Sequence, residues 1–220
     1  MEAVAVQSKR STKATWFLII ACCVIYPIGI QNDDWACSYN SIFLLGKWWT
    51  VFTALFVHGS LGHLLGNILF LFLFGRGLEK YIGLGGLLFV FIVGGAISMF
   101  LSIFYYPPNE PCVGASGAIS TILATLMLFN PWRLSLLLYL FPMPLGVAAF
   151  TFLLMNFSGF IMARHNVQTE GMQVAYLGHL IGFVVGIVLG MMLSSNWKKN
   201  LFFSIIQFIC FYLIVVLILH

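Results

Sequence analysis

Long apolar runs alternate with short polar segments along this chain. The runs cover about residues 15–31, 60–75, 82–104, 116–129, 145–161, 174–194 and 201–219. Most of them approach or exceed the roughly 18 to 20 residues with which an α-helix crosses the hydrocarbon core of a bilayer. The pattern therefore predicts an all-α, polytopic membrane protein with seven membrane-spanning helices.

The segments between the runs carry the turn residues and most of the charges. A loop at 32–50 contains three tryptophans, which favours a position in the lipid headgroup region. We expect the second span to end at Gly75, and residues 76–80 to form a short loop before the third span. Residues 131–144 and 162–173 are predicted to be connecting segments, because both interrupt the apolar pattern with polar or turn-forming residues.

Composition excludes a soluble domain and predicts the topology. Of the 220 residues, 61% are hydrophobic and 7% are charged, and the mean hydropathy is +1.03. If the N-terminus lies inside, the outer loops contain only Lys47 and Arg164, and the positive-inside rule then predicts a cytoplasmic N-terminus and an outer His220. The inner segments contain Lys9, Arg10, Lys13, Arg76, Lys80, Arg133, Lys198 and Lys199. The net charge of +4 thus reflects topology and does not indicate nucleic-acid binding.

The five cysteines do not have the spacing of a metal site. Cys37 and Cys112 are the two that fall in predicted outer loops. If the outer face is an oxidising compartment, they could pair and connect the first loop to the segment before Ser116. The sequence leaves this pairing open, because disulfide connectivity cannot be deduced from spacing.

Ser116 lies among small residues at the start of the fourth apolar run. If a helix begins there, backbone N–H groups of its first turn have no intrahelical partner and can point at a developing negative charge. A serine beside free amides suits a nucleophile with an oxyanion hole. The alternative is that the surrounding Gly114, Ala115, Gly117 and Ala118 form only a helix-packing surface.

Polar residues within the second run are a second candidate group. His63 and Asn67 are four residues apart and therefore share one helix face, and His58 lies just before the helix. The amide of Asn67 could donate a hydrogen bond to an oxyanion. The alternative is that these residues connect helices by hydrogen bonds without any chemistry.

His179 is the polar residue of the sixth run that could act on Ser116. Glycines at 178, 182 and 186 recur every four residues around it and allow another backbone to come close. Both runs enter from the same side at similar depth, so we expect Ser116 and His179 to meet at hydrogen-bond distance. A histidine can accept the serine proton and return it to a leaving group. A purely structural hydrogen bond is the alternative.

Together these motifs resemble those of the rhomboid family of intramembrane serine proteases, over roughly residues 15–195. Their order, their spacing and the spans that carry them all agree with the family pattern. The motifs are Gly114-Ala115-Ser116-Gly117, which looks like GxSG; His58, His63 and Asn67, which match H-x4-H-x3-N; and Gly178-His179 with Gly182, which match the glycine-flanked histidine.

The resemblance implies a role for each of these residues. Ser116 would be the nucleophile and His179 the general base of a dyad that contains no carboxylate. His63, Asn67 and the backbone N–H of Ser116 would form the oxyanion hole. The remaining motif residues would support the site, namely His58, Gly114, Gly117, Gly178 and Gly182.

The resemblance also implies the architecture and the activity. Residues 1–14 would be a cytoplasmic tail, 15–195 a six-helix protease core, and 196–220 a linker with a seventh helix. Glu79 resembles a polar position that steadies the core. The protein would cleave single-span membrane proteins within the bilayer, close to its outer surface, without a cofactor, a metal ion or a nucleic-acid partner.

Two positions depart from the family pattern. The family usually has a Trp-Arg pair nine residues before the first histidine, whereas this chain has Trp49-Thr50, so the first loop must be braced differently. Many members have a tyrosine four residues after the nucleophile that packs against the histidine. The smaller Ser120 occupies that position here, and we expect His179 to be less tightly held.

Two other function classes compete with a protease. A catalytically inactive rhomboid-like protein would bind transmembrane helices without cutting them, but such relatives typically lack the serine or the histidine. A transporter would favour broken helices with internal charges or a repeat between halves, and the sequence has neither.

Overall fold

The computed structural model describes residues 12–137, 141–165 and 176–219. Most of the predicted tail, the first two residues of the predicted sixth span and His220 lie outside the described residues. The helices are α1 (Lys13–Gly29), α2 (Tyr39–Phe43), α3 (Thr50–Thr53), α4 (Leu61–Phe70), α5 (Arg76–Ser102), α6 (Ser116–Phe129), α7 (Leu145–His165), α8 (Tyr176–Leu193) and α9 (Trp197–Leu219). The strands are β1 (Leu134–Leu137) and β2 (Phe141–Pro144).

The second and third predicted spans are not separated by the loop expected at 76–80. Leu71–Gly75 forms a π-helical turn that joins α4 directly to α5, and the helical assignment continues to Ser102. The prediction was wrong because Gly77 and Glu79 are buried and pack inside the protein, although Lys80 is exposed. At about 1.5 Å per residue, a straight helix of this length would measure roughly 63 Å, about twice the hydrocarbon core.

The reversal between these two segments occurs at Gly83, which has a φ of 73° that residues with a side chain rarely adopt. Before it, a Cβ on Gly77 would contact Leu126, close to the end of α6. After it, a Cβ on Gly95 would contact Ala118, close to the start of α6. The chain therefore runs alongside α6, turns at Gly83 and returns along α6 in the opposite direction.

Glu79 fixes the start of α1 from inside the bundle. Its fully buried carboxylate accepts hydrogen bonds from the backbone N–H groups of Ala14 (2.8 Å) and Thr15 (2.9 Å) and from the Thr15 hydroxyl (2.7 Å). A carboxylate at a helix N-terminus satisfies unpaired amides and interacts favourably with the helix dipole. This is the core-steadying position that the resemblance assigned to Glu79.

Helices α6 and α8 pack with their backbones in close contact. A Cβ on Gly182 would lie 2.2 Å from the Gly117 carbonyl oxygen, and one on Gly186 would lie 2.4 Å from that of Thr121. Two hydroxyls of α6 then donate across the interface, from Thr121 to the Gly182 carbonyl (2.9 Å) and from Thr125 to the Gly186 carbonyl (3.0 Å). The glycines allow the approach, and the hydroxyls give it a fixed register.

The last helix, α9, packs beside α7 and α6. Asn200 donates to the Leu128 carbonyl at the end of α6 (2.7 Å), while a Cβ on Gly146 of α7 would collide with Ser204 and Gln207. Much of the remaining surface of α9 is exposed and apolar. A face of this kind suits contact with lipid.

The segment 131–144 was predicted to be a connector, and the structure adds a β-hairpin to it. β1 and β2 pair antiparallel, with Leu134 opposite Pro144 and Leu137 opposite Phe141. Strand pairing allows facing backbone polar groups to bond to each other, although Pro142 and Pro144 have no N–H to donate. The protein is therefore mostly but not entirely helical.

The first loop is braced by contacts with the segment that leads to Ser116. Cys37 and Cys112 exchange both backbone hydrogen bonds (3.1 and 2.7 Å) in an isolated antiparallel bridge. The side chains of Asn40 and Asn109 are also hydrogen-bonded to each other. These contacts brace the first loop in this protein, which has Trp49-Thr50 in place of the Trp-Arg pair of the family.

Four stretches of the described residues are long and apolar enough to cross a membrane, namely 61–102, 145–163, 176–193 and 197–218. α1 and α6 are shorter apolar helices. Because 61–102 turns back at Gly83, these lengths fit a chain that crosses the bilayer several times, as the apolar pattern predicted.

The packing of α6 on α8 predicts the effect of a single methyl group. Gly186→Ala would force apart two backbones that have no flexible side chain to yield, and we expect a cost of about 1–3 kcal/mol. The control is Gly85→Ala, where an added Cβ contacts nothing within 4 Å. Thermal unfolding in detergent should show a lower midpoint for Gly186→Ala only. Equal midpoints would contradict this packing.

The Cys37–Cys112 bridge predicts a disulfide under oxidising conditions. Both residues are thiols here, and hydrogen-bonded antiparallel pairs have Cα atoms about 5.5 Å apart, a separation that suits a disulfide. Burial raises the pKa of Cys37 to about 11, so exchange in the folded protein should be slow. We expect refolding with oxidised glutathione to join the two residues, each glutathione disulfide being reduced to two thiols.

The measurement is alkylation of the denatured protein, with and without prior reduction, followed by mass spectrometry. Cys23 and Cys210 are exposed and serve as internal controls that are alkylated in both samples. Peptides containing Cys37 and Cys112 should be alkylated only after reduction. Equal alkylation in both samples would rule the bond out.

Candidate active site

The predicted site residues from three helices line one cavity of about 520 Å³. α4 contributes His63 and Asn67, α6 contributes Ser116, and α8 contributes His179. The cavity is mainly apolar, and its other polar lining residues are Tyr106, Glu110, Cys112 and Ser120. A concave apolar site with a few convergent polar groups is typical of a small-molecule or active site.

Ser116 is the first residue of α6, as the sequence predicted, and it is half-buried. The preceding residue, Ala115, has no side-chain oxygen with which to cap the helix. Amides of the first turn are therefore left for another acceptor. The carbonyl of Ser116 accepts a hydrogen bond from the Ser120 hydroxyl (2.8 Å), which stabilises this first turn.

Gly114 is required by its backbone angle and by its neighbours. Its φ is 114°, and an added Cβ would lie 2.7 Å from the imidazole Nε2 and Cε1 of His63. Its N–H donates to the Ala54 carbonyl (2.8 Å), which fixes the segment that enters α6. The glycine thus brings the His63 ring and the backbone before Ser116 into direct contact.

Local hydrogen bonds hold the polar residues of α4. The Ser60 hydroxyl caps the helix by accepting from the His63 N–H (3.1 Å). Asn67 is buried, and its Nδ2 donates to the His63 carbonyl (2.9 Å). An amide nitrogen carries two hydrogens, so one N–H of Asn67 remains for a ligand.

His58 lies behind the cavity rather than in it. It is fully buried, its Nδ1 is 3.1 Å from the Phe56 carbonyl oxygen, and its ring centroid is 5.1 Å from that of His63. The two rings meet edge to face. His58 therefore supports the position of His63.

His179 lies in the first turn of α8, where glycines bring the helix against its neighbours. The buried Gly178 carbonyl accepts a hydrogen bond from the Ser98 hydroxyl of α5 (2.5 Å). A Cβ on Gly117 would lie 3.6 Å from the same carbonyl oxygen, so α5, α6 and α8 meet at this point. The predicted supporting glycines are thus contacts between helices.

The structure does not contain the direct hydrogen bond that was expected between Ser116 and His179. Both side chains line the same cavity, and both also line a smaller one of about 30 Å³. In unliganded enzymes, catalytic hydrogen bonds are often long and tighten only when substrate binds.

Asn156 of α7 is a contact of His179 that the sequence analysis missed. Its Oδ1 lies 2.7 Å from His179 Nδ1, and its Nδ2 donates to the Phe152 carbonyl (2.8 Å). The Phe152 ring lies 6.0 Å from the imidazole, centroid to centroid. The signal was present, because an amide inside an apolar run is a functional candidate by default.

Two residues at the rim of the cavity come from the loop before α6. Burial raises the pKa of Tyr106 to about 12 and that of Cys112 to about 12. Both groups therefore stay protonated and uncharged at neutral pH. Because the thiolate is the reactive form of cysteine, Cys112 is a poor rival to Ser116 as the nucleophile.

Comparisons with known proteins all point to one family. A family profile described as the rhomboid domain matches residues 45–196. The rhomboid protease GluP of Bacillus subtilis is 25% identical over 189 residues, which are 82% of this chain and 35% of that protein. The rhomboid-like protein 11, chloroplastic, of Arabidopsis thaliana is 31% identical over 134 residues, 57% of this chain and 46% of that protein.

The rhomboid protease GlpG of Salmonella choleraesuis is 30% identical over 95 residues, 41% of this chain and 34% of that protein. This chain thus spans less than half the length of these relatives. The family profile covers more than half of the chain and includes all the residues that line the cavity from α4, α6 and α8. The chain therefore belongs to the rhomboid family.

Proposed function

We propose that this protein is an intramembrane serine endopeptidase that cleaves transmembrane segments of membrane proteins. The observation that carries the proposal is the gathering of Ser116, His179, His63 and Asn67 around one cavity. The relatives named as proteases make this the expected activity at the level of the family.

The reaction begins when His179 removes the proton from the Ser116 hydroxyl. The serine oxygen attacks the scissile carbonyl and forms a tetrahedral intermediate. His179 then gives the proton to the leaving amine, and an acyl-enzyme remains on Ser116. Attack of water on the ester, with His179 again as the base, releases the second product. The cavity of about 30 Å³ beside both residues has room for one water.

The oxyanion of the intermediate needs donors that are already in place. The free N–H of Asn67 is one, the ring of His63 beside Gly114 is a second, and the backbone N–H of Ser116 is a third. All three are uncharged donors when the histidine is neutral. Fixed dipoles of this kind act strongly in an apolar cavity, because little water screens them.

The proposed arrangement in the bilayer is a six-helix core followed by α9 as a seventh span. The Lys and Arg distribution supports an N-terminus in the cytoplasm and a C-terminus outside. Ser116 then begins a helix that enters from the outer side, so the site lies near the outer surface. Water can reach it there without crossing the hydrocarbon core.

The proposed substrates are single-span membrane proteins, which would reach the cavity from the lipid. A peptide bond must leave its helix before a serine can attack it, and Gly or Pro near the bond makes unwinding easier. An inactive rhomboid-like protein that binds helices is the alternative. The presence of both Ser116 and His179 in one cavity favours the enzyme.

A fluorophosphonate probe tests the proposed nucleophile. We expect the probe to label the wild type, and we expect Ser116→Ala to lose labelling and His179→Ala to lose most of it. Cleavage of single-span candidates should be lost in both variants, and the double variant should be no worse than either, because the residues act as one unit. Mass spectrometry of the products locates the cut.

The unfolding midpoint of each variant provides the control for folding. Wild-type protein that is folded but is not labelled and cuts nothing would favour the inactive alternative. Near-normal turnover by His179→Ala would contradict its role as the base.

Asn67→Ala tests the oxyanion hole. Loss of one donor should lower turnover by about 100- to 1,000-fold, with the other donors leaving measurable activity. A matched control is Asn130→Ala, because the Asn130 amide donates to the Tyr81 hydroxyl (3.0 Å) at the opposite end of α6. An Asn67→Ala rate equal to that of the control would return Asn67 to a structural role.

A further inference from the structure

We propose that Asn156 is a positioning residue that selects the tautomer of His179 required for the base. This inference rests on the proposed function, in which the Nε2 of His179 must be free to accept the Ser116 proton. It extends the Ser-His dyad to a chain of three side chains: serine from α6, histidine from α8 and asparagine from α7.

The hydrogen bonds of Asn156 fix the orientation of its amide. Its Nδ2 donates to the Phe152 carbonyl one turn earlier in α7, so the amide oxygen points away from that carbonyl and towards His179. An amide oxygen can only accept. The atom that faces it at 2.7 Å, His179 Nδ1, must therefore be the donor and carry the hydrogen.

Protonation of Nδ1 decides what the other ring nitrogen can do. A neutral imidazole has one N–H, so Nε2 is left with a free lone pair. This is the form that can accept a proton from Ser116. In the other tautomer, Nε2 would carry the hydrogen and could not act as a base, and the Asn156 oxygen would face a lone pair.

The surroundings explain why the contact comes from α7. Ser120 stands where many family members have a tyrosine on α6, and its hydroxyl donates to the Ser116 carbonyl (2.8 Å). α7 supplies two contacts to the ring instead, the Phe152 ring and the amide of Asn156, which is only 6% exposed. These contacts hold the ring that we expected to be less tightly held without the tyrosine.

Asparagine suits this position better than a carboxylate would. An aspartate would place a permanent charge among apolar helices, which is costly unless it is paired. The amide oxygen provides the same acceptor geometry without a charge. It also remains hydrogen-bonded to Nδ1–H when His179 takes up the serine proton.

The direct test is the tautomer itself, which can be measured in any folded sample. Nitrogen-15 NMR of histidine-labelled, full-length protein in detergent distinguishes Nδ1–H from Nε2–H by the shift of each ring nitrogen. His179→Ala identifies the resonance. We expect Nδ1–H in the wild type and in Ser158→Ala, a control for an exposed residue of α7, and loss of that preference in Asn156→Leu.

The kinetic test uses the same variants. Asn156→Leu keeps the size of the side chain but not its oxygen. General-base catalysis contributes roughly 10²- to 10⁴-fold, and we expect loss of the tautomer preference to remove part of this, so kcat should fall about 10- to 100-fold with little change in KM. Asn156→Asp keeps an acceptor at the same place and should retain more activity than Asn156→Leu.

The outcomes separate this inference from the proposed function. If the wild type neither labels nor cleaves, the proposed function fails, and the tautomer measurement still tests the role of Asn156. If the wild type is active, but His179 carries its hydrogen on Nε2 or Asn156→Leu matches Ser158→Ala in kcat, the inference is overturned. A fall in the unfolding midpoint with an unchanged Nδ1–H tautomer would assign Asn156 to structure alone.

Discussion

The backbone contact between α6 and α8 is the constraint on which the rest of the site depends. Ser116 and His179 lie on different helices, and Gly182 and Gly186 of α8 allow those helices to come this close, because an added Cβ on them would lie 2.2 and 2.4 Å from carbonyl oxygens of α6. The Thr121 hydroxyl then bonds the Gly182 carbonyl across the interface, so the register is fixed as well as the separation. A shift of one helical turn would move His179 by about 5.4 Å relative to Ser116, so the two residues would no longer line the same part of the cavity.

A polar site inside apolar helices must find its hydrogen bonds within the protein. Those described here join neutral groups, while the buried Nε2 of His58 has no hydrogen-bond partner among the described residues. Asn67 uses one N–H for its own helix and keeps the other, and Asn156 uses both ends of its amide. Neutral donors and acceptors are cheaper to bury than charges, yet they still orient the imidazole. The site is therefore preorganised without the desolvation cost of an ion pair.

The candidate site residues could be recognised in the sequence because histidine and asparagine are uncommon in its apolar runs, and because Ser116 lies among small residues. Ser116, His63, Asn67 and His179 carry a signal that does not depend on tertiary structure. Asn156 could be recognised as a polar residue in an apolar run. Its contact with His179 could not be predicted, because the sequence does not show which face of α7 packs against α8. The turn at Gly83 was missed for a related reason: a single glycine with a positive φ reverses the chain, whereas the more polar segment before it stays helical.

Glu79 is a buried charged group, and its surroundings show what such a group requires. It is a fully buried carboxylate, and three donors surround it, two of them amides at the start of α1, so that the helix dipole also favours the charge. No helix N-terminus faces Asn156 among its described hydrogen-bond partners. Its amide bonds instead to the Phe152 carbonyl of α7 and to the His179 ring. A carboxylate there would have a neutral imidazole as its main partner, so its buried charge would be poorly compensated. The same physical rule thus accounts for an acid at the start of α1 and for an amide beside His179.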